Sequence, residues 1–159
     1  MPYALCLALC ACGFAPMESA PQTNDIFIGT ISGTNGIDLR NALCAKFETD
    51  NVPGAKYTLT VNLAAPGMIM KGIQRTGDST WQEVRIAATY TLKDDAGKEL
   101  LRGSDTASES YAFVRDLVAS NASYNNAVQS TISILADKIS IKVNAKLSPV
   151  ASRQSPVEN

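Results

Sequence analysis

Between residues 56 and 104, apolar side chains fall at every second position. Residues 56–63 read Lys-Tyr-Thr-Leu-Thr-Val-Asn-Leu, and residues 84–92 alternate in the same way. Such alternation gives a strand one apolar and one polar face. Two stretches of turn chemistry divide the region, 75–80 (Arg-Thr-Gly-Asp-Ser-Thr) and 94–97 (Asp-Asp-Ala-Gly). The pattern predicts an antiparallel meander whose last strand begins at 98–104 and weakens into the Ser-rich residues 104–110. Residues 64–67 (Ala-Ala-Pro-Gly) interrupt the first long strand and predict a bulge or bend, with the strand resuming over 68–74. Its apolar face, Tyr57, Leu59, Val61 and Leu63 with Val84, Ile86, Ala88, Tyr90 and Leu92, requires a cover.

Two amphipathic stretches supply that cover. Residues 37–47 place Leu39, Leu43 and Phe47 four apart, widened by Ala42 and Cys44. This spacing predicts a helix of about three turns, entered through cap candidates in 32–36 and broken by 49–54. From Ser120 or Asn121 onward, Tyr124, Val128, Ile132, Leu135, Ile139 and Val143 form a long helical stripe, with Gln129, Ser130, Ser133, Asp137, Lys138 and Lys142 opposite. Residues 111–117 read equally as strand end or connector. A short apolar strand at 25–31 precedes the first helix, so strand, helix and strand suggest a crossover between parallel neighbours. The predicted order is β-α-β-β-β-α, an α+β two-layer sandwich with two helices packed on one face of a four-stranded mixed sheet. The other face is left to Thr, Asn, Arg, Gln and Lys, a solvated docking surface.

Composition narrows the chemistry. The 159 residues carry 14 Lys and Arg against 15 Asp and Glu, with no histidine. A net charge of −1 implies no nucleic-acid partner. Without histidine there is no Ser-His or Cys-His catalysis and no imidazole metal site. Residues 29–33 lack the lysine and spacing of a phosphate loop, and Asp94-Asp95 is explained by a turn. No enzyme and no cofactor are expected.

Three of the four cysteines, Cys6, Cys10 and Cys12, lie in the first twelve residues. Residues 1–11 are apolar and uncharged, the length of a signal-peptide core and far short of the roughly 20 apolar residues a membrane-spanning helix needs. Leu9-Cys10-Ala11-Cys12-Gly13 resembles a bacterial lipobox, in which the cysteine becomes an acylated N-terminus. Gly13, in place of Asp, suggests sorting to the outer membrane. No Lys or Arg precedes Cys12, so either the true start lies upstream or the leader relies on its free amine. The alternative is a buried apolar strand with incidental cysteines. The expected organisation is a signal peptide at 1–11, a lipidated tether at 12–24, one domain at 25–147 and a disordered tail at 148–159. Cys44 reads as a small core residue.

The chain resembles the short alphaproteobacterial form of the lipopolysaccharide-assembly lipoprotein LptE family. Cys12-Gly13-Phe14 is similar to the Cys-Gly-aromatic start of the mature family protein. The element order matches over 26–143, and 73–77 with 84–86 resembles the family hairpin whose tip carries an arginine. The turn at 95–103 and the Ser/Tyr stretch before the last helix are similar too. The resemblance implies an outer-membrane lipoprotein facing the periplasm, a plug and assembly partner of the LptD β-barrel that also binds lipopolysaccharide, with no catalysis. Carried over, the tip arginine falls on Arg75. A second basic position falls near Asn121, which is not basic, and Arg115 is the nearest cation. A guanidinium matches lipid A phosphates bidentately; the alternative for Arg75 is a solvated side chain beside Asp78. Arg85 and Arg102 read as a solvated polar face. The competing function is a periplasmic binding module for an amphiphilic ligand, unrelated to a barrel.

Overall fold

The computed structural model describes residues 25–73, 79–114 and 116–148. The expected leader (1–11), the tether (12–24) and the tail beyond Ser148 lie outside the described residues. Seven elements follow in chain order: β1 (Ile26–Ile28), α1 (Thr34–Phe47), β2 (Tyr57–Leu63), β3 (Gly67–Ile73), β4 (Ser79–Asp94), β5 (Glu99–Ala112) and α2 (Leu117–Leu147). They form the expected α+β fold, two helices against one open mixed sheet.

The sheet has five strands, one more than the four expected, yet they occupy four rows. β5 pairs with β4 from Trp81↔Ala112 to Lys93↔Glu99, one whole edge of the spine. The other edge carries β2 and β3 end to end, both antiparallel. β2 runs from Tyr57↔Asp94 to Leu63↔Ala88, and β3 from Gly67↔Arg85 to Ile73↔Ser79. Between these two sets the lower row advances four residues while β4 advances three, so one residue is extra. That is the bulge predicted at 64–67. Pro66 has no N–H to give the ladder, and Ala64 closes the joint by donating to the Ala87 carbonyl at 2.8 Å. β1 pairs with β2 in parallel, as the crossover requires.

The elements differ from expectation mainly at their ends. α1 begins at Thr34, three residues early, because Gly33 takes a positive φ of 85° and turns the chain into the helix. α2 begins at Leu117 because Asp116 accepts a hydrogen bond from the Ala119 amide at 2.9 Å as N-cap. β5 continues through the Ser-rich stretch to Ala112. There its inward positions remain useful: Ala107 and Tyr111 are buried, and Asp105 and Glu109 meet α2.

The core lies between the layers. Leu59, Val61, Val84, Ile86, Ala88, Tyr90 and Leu92 of the sheet are buried against Leu39, Leu43 and Phe47 of α1 and Val128, Ile132, Leu135, Ile139 and Val143 of α2. Small buried residues, Ala127, Thr131, Ala136 and Ser140, widen the α2 stripe. The two helices differ in reach. The 31 residues of α2 span about 46 Å, close to the length of β4, whereas the 14 of α1 span about 21 Å. α1 therefore covers only one half of its side of the sheet.

Tyr90 and Gly103 face each other across β4 and β5. A Cβ on Gly103 would stand 2.6 Å from the Tyr90 hydroxyl oxygen and 2.7 Å from Cζ. The missing side chain is the space into which the ring lies. Gly103→Val is therefore expected to destabilise the fold by about 1–3 kcal/mol, the usual cost of overpacking. Urea unfolding checks this, and an unchanged midpoint contradicts it.

Candidate functional site

Cys12, Arg75 and Arg115 lie outside the described residues. The described residues around the two arginines share one end of the sheet. Trp81 faces Gly72 on β3 and Ala112 on β5, so the β3–β4 and β5–α2 connections both leave there. We call this end distal. α2 runs back from it: Tyr124 packs on Tyr111, Lys138 reaches Thr106 and Lys142 reaches Asp105. The chain enters at the opposite, proximal end, where the Asp25 carbonyl accepts from the Tyr57 amide.

The outer face of the sheet, away from the helices, is a grid of hydroxyls. Cross-strand register aligns Thr60, Thr91 and Arg102 in one row and Asn62, Thr89 and Ser104 in the next. These residues line a shallow open groove of about 620 Å³. Arg102, mostly exposed, donates to Glu99 Oε2 at 2.6 Å. Further along, Lys71 and Arg85 each reach Glu83 at 2.8 Å. Hydrogen bonds from Lys71, then Arg85, hold the Glu83 carboxyl below its ordinary range. Both sequence-flagged arginines on this face are thus ion-paired as well as solvated, and they present no common anion site.

A second polar line runs along the seam between β5 and α2. Tyr90 donates to Asp105 Oδ2 at 2.9 Å, and Lys142 reaches Asp105 Oδ1 at 2.6 Å. Burial pushes the Asp105 carboxyl up, but the Lys142 and Tyr90 hydrogen bonds outweigh it and hold it below its usual range. Burial first, then the Asp105 carboxylate, pushes the Tyr90 phenol up to about 12. At the distal end of the seam the Tyr111 hydroxyl donates to buried Gln82. Sequence reading passed over this line. Its signal was an acid at an inward position of β5, Asp105, with Lys138 and Lys142 one helical turn apart on the facing helix.

The third feature is apolar. Met68 and Met70 of β3 are 54% and 69% exposed, although they share the inner face with buried Val84. Trp81, Phe113, Leu117 and Val118 are also exposed at the distal end. Among the described residues, no group of three or more acidic, cysteine or histidine side chains is placed to hold a metal ion. No described helix is long and apolar enough to cross a membrane.

The fold is shared with solved structures. A Caulobacter crescentus protein described as a lipoprotein matches with a TM-score of 0.63 at 19% identity, over 79% of this chain and 92% of its own. A minor lipoprotein of Acinetobacter baumannii matches at 0.60 and 19%, over 80% and 97%. The rare lipoprotein B of Shewanella oneidensis matches at 0.62 and 15%, over 77% and 95%. No family model matches the sequence, and no curated protein does. The likeness is one of fold, carried through nearly the whole length of each neighbour.

The seam makes stability depend on pH in two directions. Asp105 titrates lower when folded, so its contribution is complete above the ordinary value of 3.8 and is lost as pH falls through the folded value. Tyr90 titrates higher when folded, so its contribution is complete below 10.0 and is lost as pH rises toward about 12. Asp105→Asn is expected to flatten the acid limb of the denaturation midpoint against pH, and Tyr90→Phe the alkaline limb. Limbs that match the parent protein contradict the assignment.

Proposed function

We propose that this chain is an outer-membrane lipoprotein, anchored through acylated Cys12 and facing the periplasm. In this reading it plugs and helps assemble an LptD-type β-barrel that exports lipopolysaccharide, and it carries out no catalysis. The observation that supports it most is the fold shared, near full length, with three lipoproteins from separate bacteria. The lipobox-like 9–13 sequence adds a chemical reason for a lipid at the N-terminus, since two or more acyl chains anchor stably at about 0.8 kcal/mol per buried CH₂. The architecture suits the role. A hydroxyl-covered sheet face can lie against a hydrated barrel lumen without stranding apolar surface. Asp25, the first described residue, and the distal end lie at opposite poles of the domain.

Lipopolysaccharide is the proposed ligand, with Arg75 and Arg115 as its phosphate partners. The described residues that flank each arginine in sequence lie at the distal end. The amphiphile-binding alternative fits less well, because the groove on the outer face is shallow and open rather than enclosed.

Mild detergent extraction followed by affinity purification and mass spectrometry tests the anchor and the plug together. A large β-barrel should co-purify, and the mature N-terminus should be an acylated Cys12. A monodisperse monomer, recovered while the barrel itself is intact, contradicts the plug role. Arg75→Glu should then weaken lipopolysaccharide binding with barrel co-purification intact. Unchanged binding returns Arg75 to a solvated side chain.

A further inference from the structure

Among the described residues, the sheet edges along β1, β5 and β3 are treated differently. On β1 the outward backbone groups are latched by side chains. The Ile28 amide donates to Asn51 Oδ1, the Ile28 carbonyl accepts from Arg40 Nε at 3.2 Å, and the Ile26 carbonyl accepts from Thr49 Oγ1 at 2.8 Å. On β5 the Thr106 carbonyl accepts from Lys138 Nζ at 2.8 Å. Both are protected edges, with charged or polar side chains placed where another chain would pair.

The third stretch, along β3, has no such latch among the described residues. Its geometry follows from the ladder. Ala87 gives its carbonyl to Ala64, so odd-numbered residues of β4 bond toward this row, and Gly67 and Ile69 face Arg85 and Glu83. By antiparallel alternation, the N–H and C=O groups of Met68 and Met70 point away from β4 into the open edge. The side chains of the same two residues are exposed on the inner face. β1 fills the outer row for only three residues before the chain turns into α1, and α1 ends its cover at mid-sheet. Among the described residues, one quadrant of the two-layer sandwich therefore carries neither an outer strand nor a helix.

We propose that this slot receives an extended strand of a partner polypeptide, added antiparallel or parallel to β3, with apolar side chains at alternate positions. Only a strand repeats backbone donors and acceptors at the spacing that β3 presents, while Met68 and Met70 select apolar residues on the helix side. On the outer side the Lys71–Glu83–Arg85 cluster holds two cations against one carboxylate, which favours an acidic residue in the added strand. Asp25 and Ser148, the first and last described residues, both lie at the proximal end. The slot does not depend on the identity of the barrel.

The probe is the heptapeptide acetyl-Val-Thr-Val-Glu-Val-Thr-Val-amide, titrated into the full chain with amide hydrogen exchange followed by NMR. Saturable slowing of exchange at Met68 and Met70, by about tenfold or more at saturation, is the expected result, with the Thr106 amide unaffected. The same peptide N-methylated at alternate residues on its pairing side should leave both amides fast. Met70→Pro removes one outward donor without touching the β4 ladder and should weaken binding, whereas Met70→Ala keeps the donor. No slowing at any peptide concentration overturns the proposal, as does equal binding of the N-methylated peptide. Amides at Met68 and Met70 that are already slow in the isolated chain also overturn it. Sedimentation then distinguishes a second copy in the slot, seen as a dimer, from the chain's own ends, seen as a monomer.

Discussion

The structure depends on one long strand having partners on both edges over most of its length. β4 bonds to β5 from Trp81 to Lys93 on one side and to β2 and β3 in succession on the other, so most of its backbone groups find partners in the sheet. A strand that long, about 50 Å, exceeds what a single short partner can cover. The bulge at 64–67 resolves this by letting one row change register without leaving the sheet. It also keeps the inner-face parity, so that Val61 and Leu63 before it and Met68 and Met70 after it fall on the side of the helices.

From that spine the asymmetry of the molecule follows. α2 is as long as β4 and lies along β5, held by Lys138 and Lys142 at the seam. α1 is less than half as long and reaches α2 through Lys46–Asp137 and Gln129–Asp38. These surface contacts contribute little individually, roughly 0–1 kcal/mol each. The buried Leu39, Leu43 and Phe47 of α1 share one core with Leu135 and Ile139 of α2, and that burial carries the helix pairing. The consequence is a proximal half closed on both layers and a distal half in which β3 is bare.

Much of this was legible in the sequence. Alternation located the sheet face residue by residue, because period two has a single buried solution. The 4-4-3-4-4 stripe of α2 did the same, and Pro66 with Gly67 marked the bulge. Strand ends and helix starts were not legible. Asp116 reads as any polar residue until its neighbours turn helical, and the Ser-rich part of β5 hides its inward positions behind small and acidic side chains. Asp105 is an example: an aspartate in a strand argues for a turn until Tyr90 and Lys142 are seen to satisfy it. The exposure of Met68 and Met70 was equally invisible, since alternation says which face they share and nothing about how far the helices reach. The residues proposed to carry function, Cys12, Arg75 and Arg115, rest on sequence alone.

The decisive measurement is electron cryomicroscopy of the protein extracted with its neighbours in a mild detergent. The expected image is the two-layer domain seated within the lumen of a β-barrel, its lipidated end at the membrane and its hydroxyl-covered sheet face against the barrel wall. A domain standing free of any barrel, or one bound to a partner of another architecture, would contradict the plug function.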